Sequence, residues 1–150
     1  MLNISDRANT IIEEFSKIDN WEDKYKKVIT LGKALDALEE NDCVEKFRIK
    51  GCQSQVWLKP SYKNGLVSFK AASDAILVQG IIALLIKVYS DSTPEEIMTQ
   101  RGDFLKQIGI NEHLSMNRTN GLASMLKQIQ MYGMVFKSLK DKGINNADNF

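Results

Sequence analysis

The amino-acid sequence predicts an α+β fold, in which several helices pack against a small antiparallel or mixed sheet. Apolar residues recur at helical spacing from residue 8 to residue 35, and again from residue 75 to residue 139. Between these regions they alternate with polar residues around an Asn64-Gly65 turn, which is the period of half-buried strands. Helices, then a hairpin, then further helices are the element order of an α+β domain.

The chain of 150 residues has the length of one domain, and we expect one domain over 1–150 with its core from about residue 5 to residue 140. Hydrophobic residues make up 43% and charged residues 26% of the chain, which is typical of a folded globular protein. The polar tail from Gly143 to Phe150 is expected to be frayed and flexible.

The charge balance argues against nucleic acid and membranes as partners. The chain carries 20 basic and 19 acidic residues, a net charge of +1, and no long basic stripe. Its polar N-terminus lacks the charged-then-apolar build of a signal peptide. The apolar run from Ala75 to Val88 is interrupted and too short to cross a bilayer. We therefore expect a cytoplasmic protein.

Two helices are predicted before the sheet. Ser5 is the expected N-cap of the first helix, with Asp6 in its first turn. Asn20 is the expected N-cap of the second, with Asp23 three residues later as in a capping box. The apolar stripes of the two helices are Ala8, Ile11, Ile12, Phe15 and Ile18, and then Trp21, Tyr25, Val28, Leu31 and Leu35.

The hairpin is predicted from a strand over Gln53–Lys59, the Asn64-Gly65 turn and a second strand over residues 67–71. Both central residues of a type I′ turn need positive φ, which asparagine and glycine tolerate. Pro60 is expected to end or interrupt the pairing, because proline has no N–H to donate. Phe47–Lys50 is expected to add a short third strand.

Further helices are predicted after the sheet. The stretch Ala75–Tyr89 is apolar nearly all round, so it should form the buried centre of the domain, with Ser73-Asp74 as its cap. Thr93-Pro94-Glu95-Glu96 combines a capping threonine, a proline at the first helical position and a capping-box glutamate. Gly102 is the expected end of that helix. Short helical turns over 104–114 and a long helix over 118–140 follow.

Cys52 is the main candidate for chemistry. It follows Gly51 at the entrance to the first strand, and glycine permits the backbone angles of a loop that a partner can reach. Nucleophilic sulfur chemistry needs the thiolate, which nearby cations favour, and Arg48 and Lys50 are the candidate cations. The residues alone leave a second interpretation open, in which Cys52 is a small buried hydrophobic residue.

Other candidate residues have structural interpretations beside functional ones. Asp74 is an N-cap or first-turn acid, or else a group acting at the cysteine. His113 has a capping or surface role, or else is a base for Cys52. Arg118 opens a helix, where the dipole disfavours a cation, so it is expected to pair with Asp74 or with a partner's acid. The residues expected in the core rather than on a binding surface are Trp57, Met125, Met131 and Met134.

A metal site is not expected. Structural zinc takes four ligands with closely spaced cysteine pairs, whereas this chain has two cysteines, Cys43 and Cys52, and one histidine. The same count argues against an iron–sulfur cluster scaffold, which needs several thiolates. Cys43 lies in a polar loop and is interpreted as incidental, and a disulfide between the two cysteines is not expected in the cytoplasm.

The segment around Cys52 resembles the signature of the SufE family, including its CsdE branch. That signature is Gly51-Cys52-Gln53-Ser54-Gln55-Val56-Trp57. The further segments that resemble the family, in order along residues 5–140, are Asn20-Trp21-Glu22-Asp23-Lys24-Tyr25 with Leu31-Gly32, Ser73-Asp74-Ala75, Gly80-Ile81-Ile82-Ala83, Thr93-Pro94-Glu95-Glu96-Ile97, His113-Leu114-Ser115, Arg118 and Asn120-Gly121-Leu122.

The resemblance implies a protein that accepts sulfur on Cys52 as a persulfide from a SufS- or CsdA-like cysteine desulfurase. Such a protein stimulates the desulfurase, which uses pyridoxal phosphate, and passes the sulfur to an iron–sulfur scaffold complex. The resemblance implies no cofactor of its own and no turnover without the desulfurase. The implied fold is a small sheet packed against helices, shared with IscU-type scaffolds. The residues that it places in or beside the cysteine loop are Gly51, Gln53, Ser54, Asp74 and Arg118.

Two other functions stay open. The chain could be a binding module that stimulates a desulfurase allosterically without carrying sulfur, or a thiol oxidoreductase with Cys43 as the resolving residue. We expect a monomer or a weak homodimer. We also expect Cys52 to rest partly buried and to swing out when the desulfurase docks, because a glycine precedes it in the turn.

Overall fold

The computed structural model of the chain describes residues 2–147, which form six α-helices and two β-strands. In chain order the elements are α1 (Ile4–Ser16), α2 (Trp21–Ala34), β1 (Val56–Lys63), β2 (Leu66–Ser73), α3 (Ile76–Tyr89), α4 (Pro94–Thr99), α5 (Asp103–Gln107) and α6 (Met116–Asp141). Short 3₁₀ turns lie at Glu40–Asp42, Glu45–Phe47 and Ile110–His113. The predicted α+β fold is confirmed.

Local capping signals begin two of the helices where the sequence predicts them. Asn20 caps α2, because its side chain accepts a hydrogen bond from the Asp23 N–H at 2.8 Å. Thr93 caps α4 and forms both hydrogen bonds of the capping box with Glu96, with Pro94 in the first turn. Short-range polar contacts therefore fix these two helix starts.

Two predicted helix boundaries are wrong. Ser5 does not cap α1, because Asn3 takes that position and exchanges both capping-box hydrogen bonds with Asp6. Gly102 does not end α4, which already ends at Thr99. Gly102 instead has a φ of 85° and lies at the N-cap of α5, where its left-handed backbone turns the chain into the next helix.

The hairpin turn is the predicted one. Asn64 and Gly65 have φ values of 52° and 77°, so both occupy the positive region that a type I′ turn requires. Antiparallel pairing continues along the full length of both strands. The β2 residues that face the core are Val67, Phe69 and Ala71, as their alternation predicts.

The predicted interruption at Pro60 is wrong, because β1 continues through it. Pro60 lies opposite Phe69 in the hairpin. The Phe69 N–H donates away from β1, to Ser90 Oγ at 3.0 Å, so this pair is one that forms no hydrogen bond between the strands. The missing N–H of proline therefore leaves no ladder hydrogen bond unmade.

The predicted third strand over Phe47–Lys50 is also wrong, since the sheet formed by the described residues has two strands. The segment begins in a 3₁₀ turn, and Arg48 forms an isolated bridge with Trp57. Beside it, the Ile49 N–H donates to Val56 O at 2.8 Å. This short pairing anchors the base of the cysteine loop to β1 without extending the sheet.

Helix α3 lies at the centre of the core, as its nearly uniform apolar character predicts. It packs against β2, α1, α2 and α6. Its contact with α2 is close, because Gly32 and Gly80 face each other and a Cβ on Gly80 would lie 2.4 Å from Val28 O. No helix within residues 2–147, α3 included, combines the length and the apolar character that a membrane crossing needs.

Helix α6 is the predicted long last helix, and the tail that follows it folds back onto the hairpin. The Gly65 N–H donates to Asn145 O at 3.0 Å, and the Ala147 N–H donates to Tyr62 O at 2.9 Å. Residues 145–147 are therefore paired rather than frayed. The rest of the tail expected to fray, residues 148–150, lies outside the described residues.

We predict that Gly80→Ala lowers the free energy of unfolding by about 1–3 kcal/mol, because the new methyl group overpacks the contact between α2 and α3. Urea denaturation followed by circular dichroism measures the change. The matched control is Gly121→Ala, another buried helix glycine, where a Cβ would lie 3.5 Å from Cys52 Sγ. Because alanine has a better helix propensity than glycine, this control variant should be as stable as the parent or more stable by up to about 1 kcal/mol. Equal losses in the two variants would contradict the close-contact explanation.

Candidate functional site

Cys52 lies in the loop between the 3₁₀ turn at Glu45–Phe47 and β1, half-buried against α6. Its thiol donates a hydrogen bond to the Gly121 O, with a distance of 3.6 Å between Sγ and the oxygen. The side chain also packs against the hydrophobic core. At rest, therefore, Cys52 has an apolar setting and does not project from the tip of its loop.

Gly51 allows the cysteine loop and α6 to come this close. Gly51 has a φ of 90°, and a Cβ on it would lie 2.6 Å from Ser124 Oγ. On the helix side, Gly121 presents its backbone to the thiol, and a Cβ on it would lie 3.5 Å from Cys52 Sγ, which is an ordinary van der Waals distance. The sequence prediction that Gly51 shapes this loop agrees with this geometry, whereas the contact with Ser124 was not predicted.

Hydrogen bonds from two neighbouring elements hold the loop after the cysteine. Arg118, in the first turn of α6, donates from Nη1 to Ser54 Oγ at 2.9 Å. The Gln55 N–H donates to Asp74 Oδ1 at 3.0 Å, and the Ser73 hydroxyl donates to Gln55 O at 2.8 Å. The structure thus brings the predicted residues Ser54, Asp74 and Arg118 to one loop. Ser73 is an additional contact that sequence reasoning had assigned only to capping.

Asp74 and Arg118 meet the loop separately rather than each other. No ion pair within 4.0 Å joins them among the residues that the structure describes, so the expected pairing of Arg118 with Asp74 is wrong. The expected N-cap role of Asp74 is wrong as well. The N-cap of α3 is Ala75, whose N–H donates to Ser73 Oγ at 3.2 Å, while the Asp74 carboxylate is directed to Gln55.

A small cavity of about 20 Å³ lies beside the thiol. That space accommodates about one water-sized group, because a single water needs roughly 10–15 Å³. Its lining combines the cysteine loop, the first turns of α6 and the apolar side of α3, and consists of Cys52, Gln53, Ser54, Val78, Ile81, Asn117, Arg118, Gly121 and Met125. The predicted loop residue Gln53 therefore lines this cavity. The periodicity of α3 marked Val78 and Ile81 only as core residues.

Burial raises the pKa of the Cys52 thiol. The candidate cations do not reverse this effect: Arg48 pairs with Glu45 at 3.6 Å, and Lys50 is exposed. The resting thiol is therefore protonated at neutral pH, which shields it from oxidants but also makes it a poor nucleophile.

The remaining candidates have other surroundings. Cys43 follows the 3₁₀ turn at Glu40–Asp42 as a free thiol, and burial together with the nearby Asp42 and Glu40 carboxylates raises its pKa. His113 stacks on Trp21 with ring centroids 4.5 Å apart, which fits the surface interpretation rather than a base for Cys52. Among residues 2–147, no three His, Cys, Asp or Glu side chains are grouped as a metal site would require.

The methionines divide between the core and the surface. Met125 is buried as expected, and Trp57 is half-buried. The expectation is wrong for Met131 and Met134, which are 48% and 59% exposed on α6. Helical spacing in the sequence marks only one face of α6 as apolar, and these two residues lie off that face.

Comparison with known proteins identifies relatives along most of the chain. The model of the SufE family, described as an Fe-S metabolism associated domain, matches residues 9–133. An uncharacterized SufE-like protein of Rhizobium etli is 40% identical over 125 residues, covering 80% of this chain and 84% of its own. One from Rhizobium meliloti is 38% identical over 125 residues, covering 80% and 89%. The solution structure of a hypothetical protein from Thermus thermophilus shares the fold, with a TM-score of 0.75, 18% identity and coverage of 88% and 96%.

We predict that Gly51→Ala destabilises the fold by about 1–2 kcal/mol, because alanine is strained at positive φ and its Cβ meets Ser124 Oγ. The double variant Gly51→Ala/Ser124→Ala removes the oxygen and should recover part of the loss, leaving the backbone strain. Thermal melting of both variants and of Ser124→Ala alone separates the two causes. A Gly51→Ala protein with the stability of the parent would contradict the assigned backbone strain.

We predict that Asp74→Ala speeds the reaction of Cys52 with a small aromatic disulfide reagent about fivefold, because the lost hydrogen bond to Gln55 is worth about 1 kcal/mol of loop closure. The experiment uses a Cys43→Ser background, so that the measured reaction is that of the Cys52 thiol. Asp74→Asn is the matched control, since its side-chain oxygen can still accept from Gln55.

The rate should also keep rising with pH above the usual thiol pKa of about 8.5, because burial raises the pKa of Cys52 and the thiolate forms only at higher pH. A rate that levels off below that pH would contradict the assignment of a shielded thiol. Equal rates for the alanine and asparagine variants would show that the Asp74 contact does not control access.

Proposed function

The chain belongs to the SufE family, and from this we propose that it accepts a sulfur atom on Cys52 as a persulfide and passes it towards iron–sulfur cluster assembly. The observation that supports the proposal most directly is the position of Cys52. Its thiol is half-buried beside a cavity of about one atom's size, in a loop held by hydrogen bonds that a docking partner can replace. A structural buried cysteine needs neither the cavity nor such a loop.

The proposed step is a thiol–persulfide exchange. The Cys52 thiolate attacks the outer sulfur of a persulfide on the donor, and a new S–S bond forms on Cys52 as the S–S bond of the donor breaks. The donor cysteine leaves as a thiolate and takes up the proton that Cys52 released. The number of electrons is unchanged, so the exchange needs no separate oxidant or reductant.

The donor in this proposal is a SufS- or CsdA-like cysteine desulfurase, whose pyridoxal phosphate releases the sulfur of free cysteine. We assign no cofactor to this chain, and no turnover in the absence of the desulfurase. The acceptor of the sulfur after Cys52 is an iron–sulfur scaffold complex. The protein acts in this scheme as a carrier with one covalent intermediate.

The loop has to move for this exchange to occur. The resting thiol is protonated and faces the Gly121 O, whereas attack on a donor requires a thiolate that reaches outward. The hydrogen bond that Arg118 donates to Ser54 and the one that Asp74 accepts from Gln55 are worth about 1 kcal/mol each, so their rupture is a modest cost for a docked complex. After transfer, the cavity beside Cys52 offers space for the extra sulfur and shields it from solvent.

We predict that Cys52→Ser abolishes both sulfur loading and stimulation of the desulfurase. The reduced protein is mixed with desulfurase, pyridoxal phosphate and cysteine, and intact mass and peptide mapping locate the added sulfur while sulfide release measures stimulation. Cys43→Ser is the matched control and should load one sulfur on the Cys52 peptide as the parent does. Serine removes the nucleophilic sulfur with little change of volume, so folding should be preserved.

Other outcomes of this experiment identify the other functions. Stimulation that survives Cys52→Ser, without sulfur on the parent protein, would favour an allosteric binding module. Loss of activity in Cys43→Ser, together with turnover of a disulfide or peroxide substrate by the parent, would favour an oxidoreductase with Cys43 as its resolving residue.

A further inference from the structure

An open groove of about 570 Å³ lies beside the cysteine loop, between the segment before Cys52 and α6. We call it the basic groove. Its lining consists of Glu45, Lys46, Arg48, Ile49, Lys50, Ser124, Lys127, Gln128 and Met131. The groove is adjacent to the cysteine loop but separate from the small cavity at the thiol, because the two share no lining residue.

The groove concentrates positive charge that the chain as a whole does not have. Four of its lining residues are basic and one is acidic, whereas the complete chain carries 20 basic and 19 acidic residues. The acid, Glu45, already pairs with Arg48 at 3.6 Å. Three of the cations come from the segment before the cysteine and the fourth, Lys127, comes from α6. Because these cations come from two separate segments of the chain, they form no long basic stripe in the sequence.

The cations before the cysteine all face solvent. Exposed and buried residues alternate from Lys46 to Lys50, so Lys46, Arg48 and Lys50 are exposed, while Phe47 and Ile49 are 7% and 3% exposed. Lys46 lies in the 3₁₀ turn at Glu45–Phe47, and Arg48 and Lys50 follow that turn. Together they place three exposed positive charges on one wall of the groove.

We propose that the basic groove docks an acidic segment of the cysteine desulfurase that loads Cys52, an inference that rests on the proposed function. The positive charge of the groove indicates that the segment is acidic. The position of the groove beside the cysteine loop indicates that the segment belongs to the protein that loads Cys52. Lys50 directly precedes Gly51 in the chain, and Ser124 both lines the groove and lies against the backbone of Gly51. A segment bound in the groove therefore lies against the base of the loop that has to open.

The lining favours a polypeptide over a nucleic acid. No aromatic residue lines the groove, so unpaired bases would find no side chain on which to stack. Met131, which is 48% exposed, instead provides an apolar surface beside the cations. Cations around an apolar centre suit an acidic segment that also carries an aliphatic or aromatic side chain.

The test compares two charge-reversal variants with the same net charge. Lys46→Glu/Lys127→Glu changes both walls of the groove and leaves the cysteine loop intact. Lys33→Glu/Lys106→Glu changes two exposed lysines that lie outside the groove. Isothermal titration calorimetry measures the Kd of each for the desulfurase at about 0.05 M and about 0.5 M salt. Circular dichroism verifies folding, and the neutral variant Lys46→Gln/Lys127→Gln repeats the test without introducing repulsion.

We expect the groove variant to raise the Kd about tenfold or more at low salt, with a smaller difference at high salt, because salt screens rim charges. The neutral variant should show an intermediate rise, and the control variant should bind as the parent does. Equal weakening in the groove and control variants would overturn the proposal, since net charge alone would explain it, and so would parental affinity in the groove variant. If the groove variant lost the parent's binding to a labelled single-stranded oligonucleotide but kept parental affinity for the desulfurase, the groove would be assigned to nucleic acid instead.

A failure of the groove can be distinguished from a failure of the sulfur carrier. At saturating desulfurase, the groove variant should still load one sulfur on Cys52, because the thiol and its cavity are unchanged. If the parent protein takes no sulfur on Cys52, the proposed function fails, while the comparison of affinities still tests the groove.

Discussion

Burial of α3 is the constraint on which the rest of this structure depends. The helix is apolar on nearly all sides, so the free energy of burying it is gained only if other elements cover most of its surface. α2 approaches through the contact of Gly32 with Gly80, and the hairpin covers a second side with β2. The cysteine loop and α6 cover one more part, where Val78 and Ile81 form the apolar wall of the small cavity. The setting of the thiol is thus a consequence of how the core is closed.

Shielding and reactivity of Cys52 oppose each other at this position. Burial raises the pKa of the thiol, which protects it at rest, but nucleophilic attack requires the thiolate. The loop is closed by a few hydrogen bonds that lie near the surface, where water can replace them at a cost of about 1 kcal/mol each. Opening therefore costs a few kcal/mol, well below the roughly 8 kcal/mol of a micromolar complex. A docked partner can supply that free energy, whereas thermal opening stays rare.

The sequence predicts those features that depend on neighbouring residues. The Asn64-Gly65 turn and the Thr93 capping box are confirmed because their geometry is local. Pro60 was assigned wrongly because its effect depends on which strand edge it faces, and that is set by the pairing with Phe69. The resemblance to a family locates the cysteine loop. The hydrogen bonds of that loop with Asp74 and Arg118 are formed between elements distant in sequence, so only the folded structure reveals them. The basic groove could not be predicted, because it forms only when α6 lies beside the segment before the cysteine.

The separation of the basic groove from the thiol is consistent with a carrier that must discriminate among partners. Cations within about 4–6 Å of the sulfur would stabilise the thiolate and expose it to oxidants in the absence of any donor. In this structure the cations of the basic groove lie outside the small cavity, and Arg118, which does line that cavity, donates to Ser54 Oγ. Burial dominates at the thiol itself. Charge can then act on an approaching partner over roughly a Debye length, about 8 Å, while the thiol stays protonated until the loop opens. Encounter and activation are in this way controlled by different residues, and Ser124, which lines the groove and contacts Gly51, connects the two.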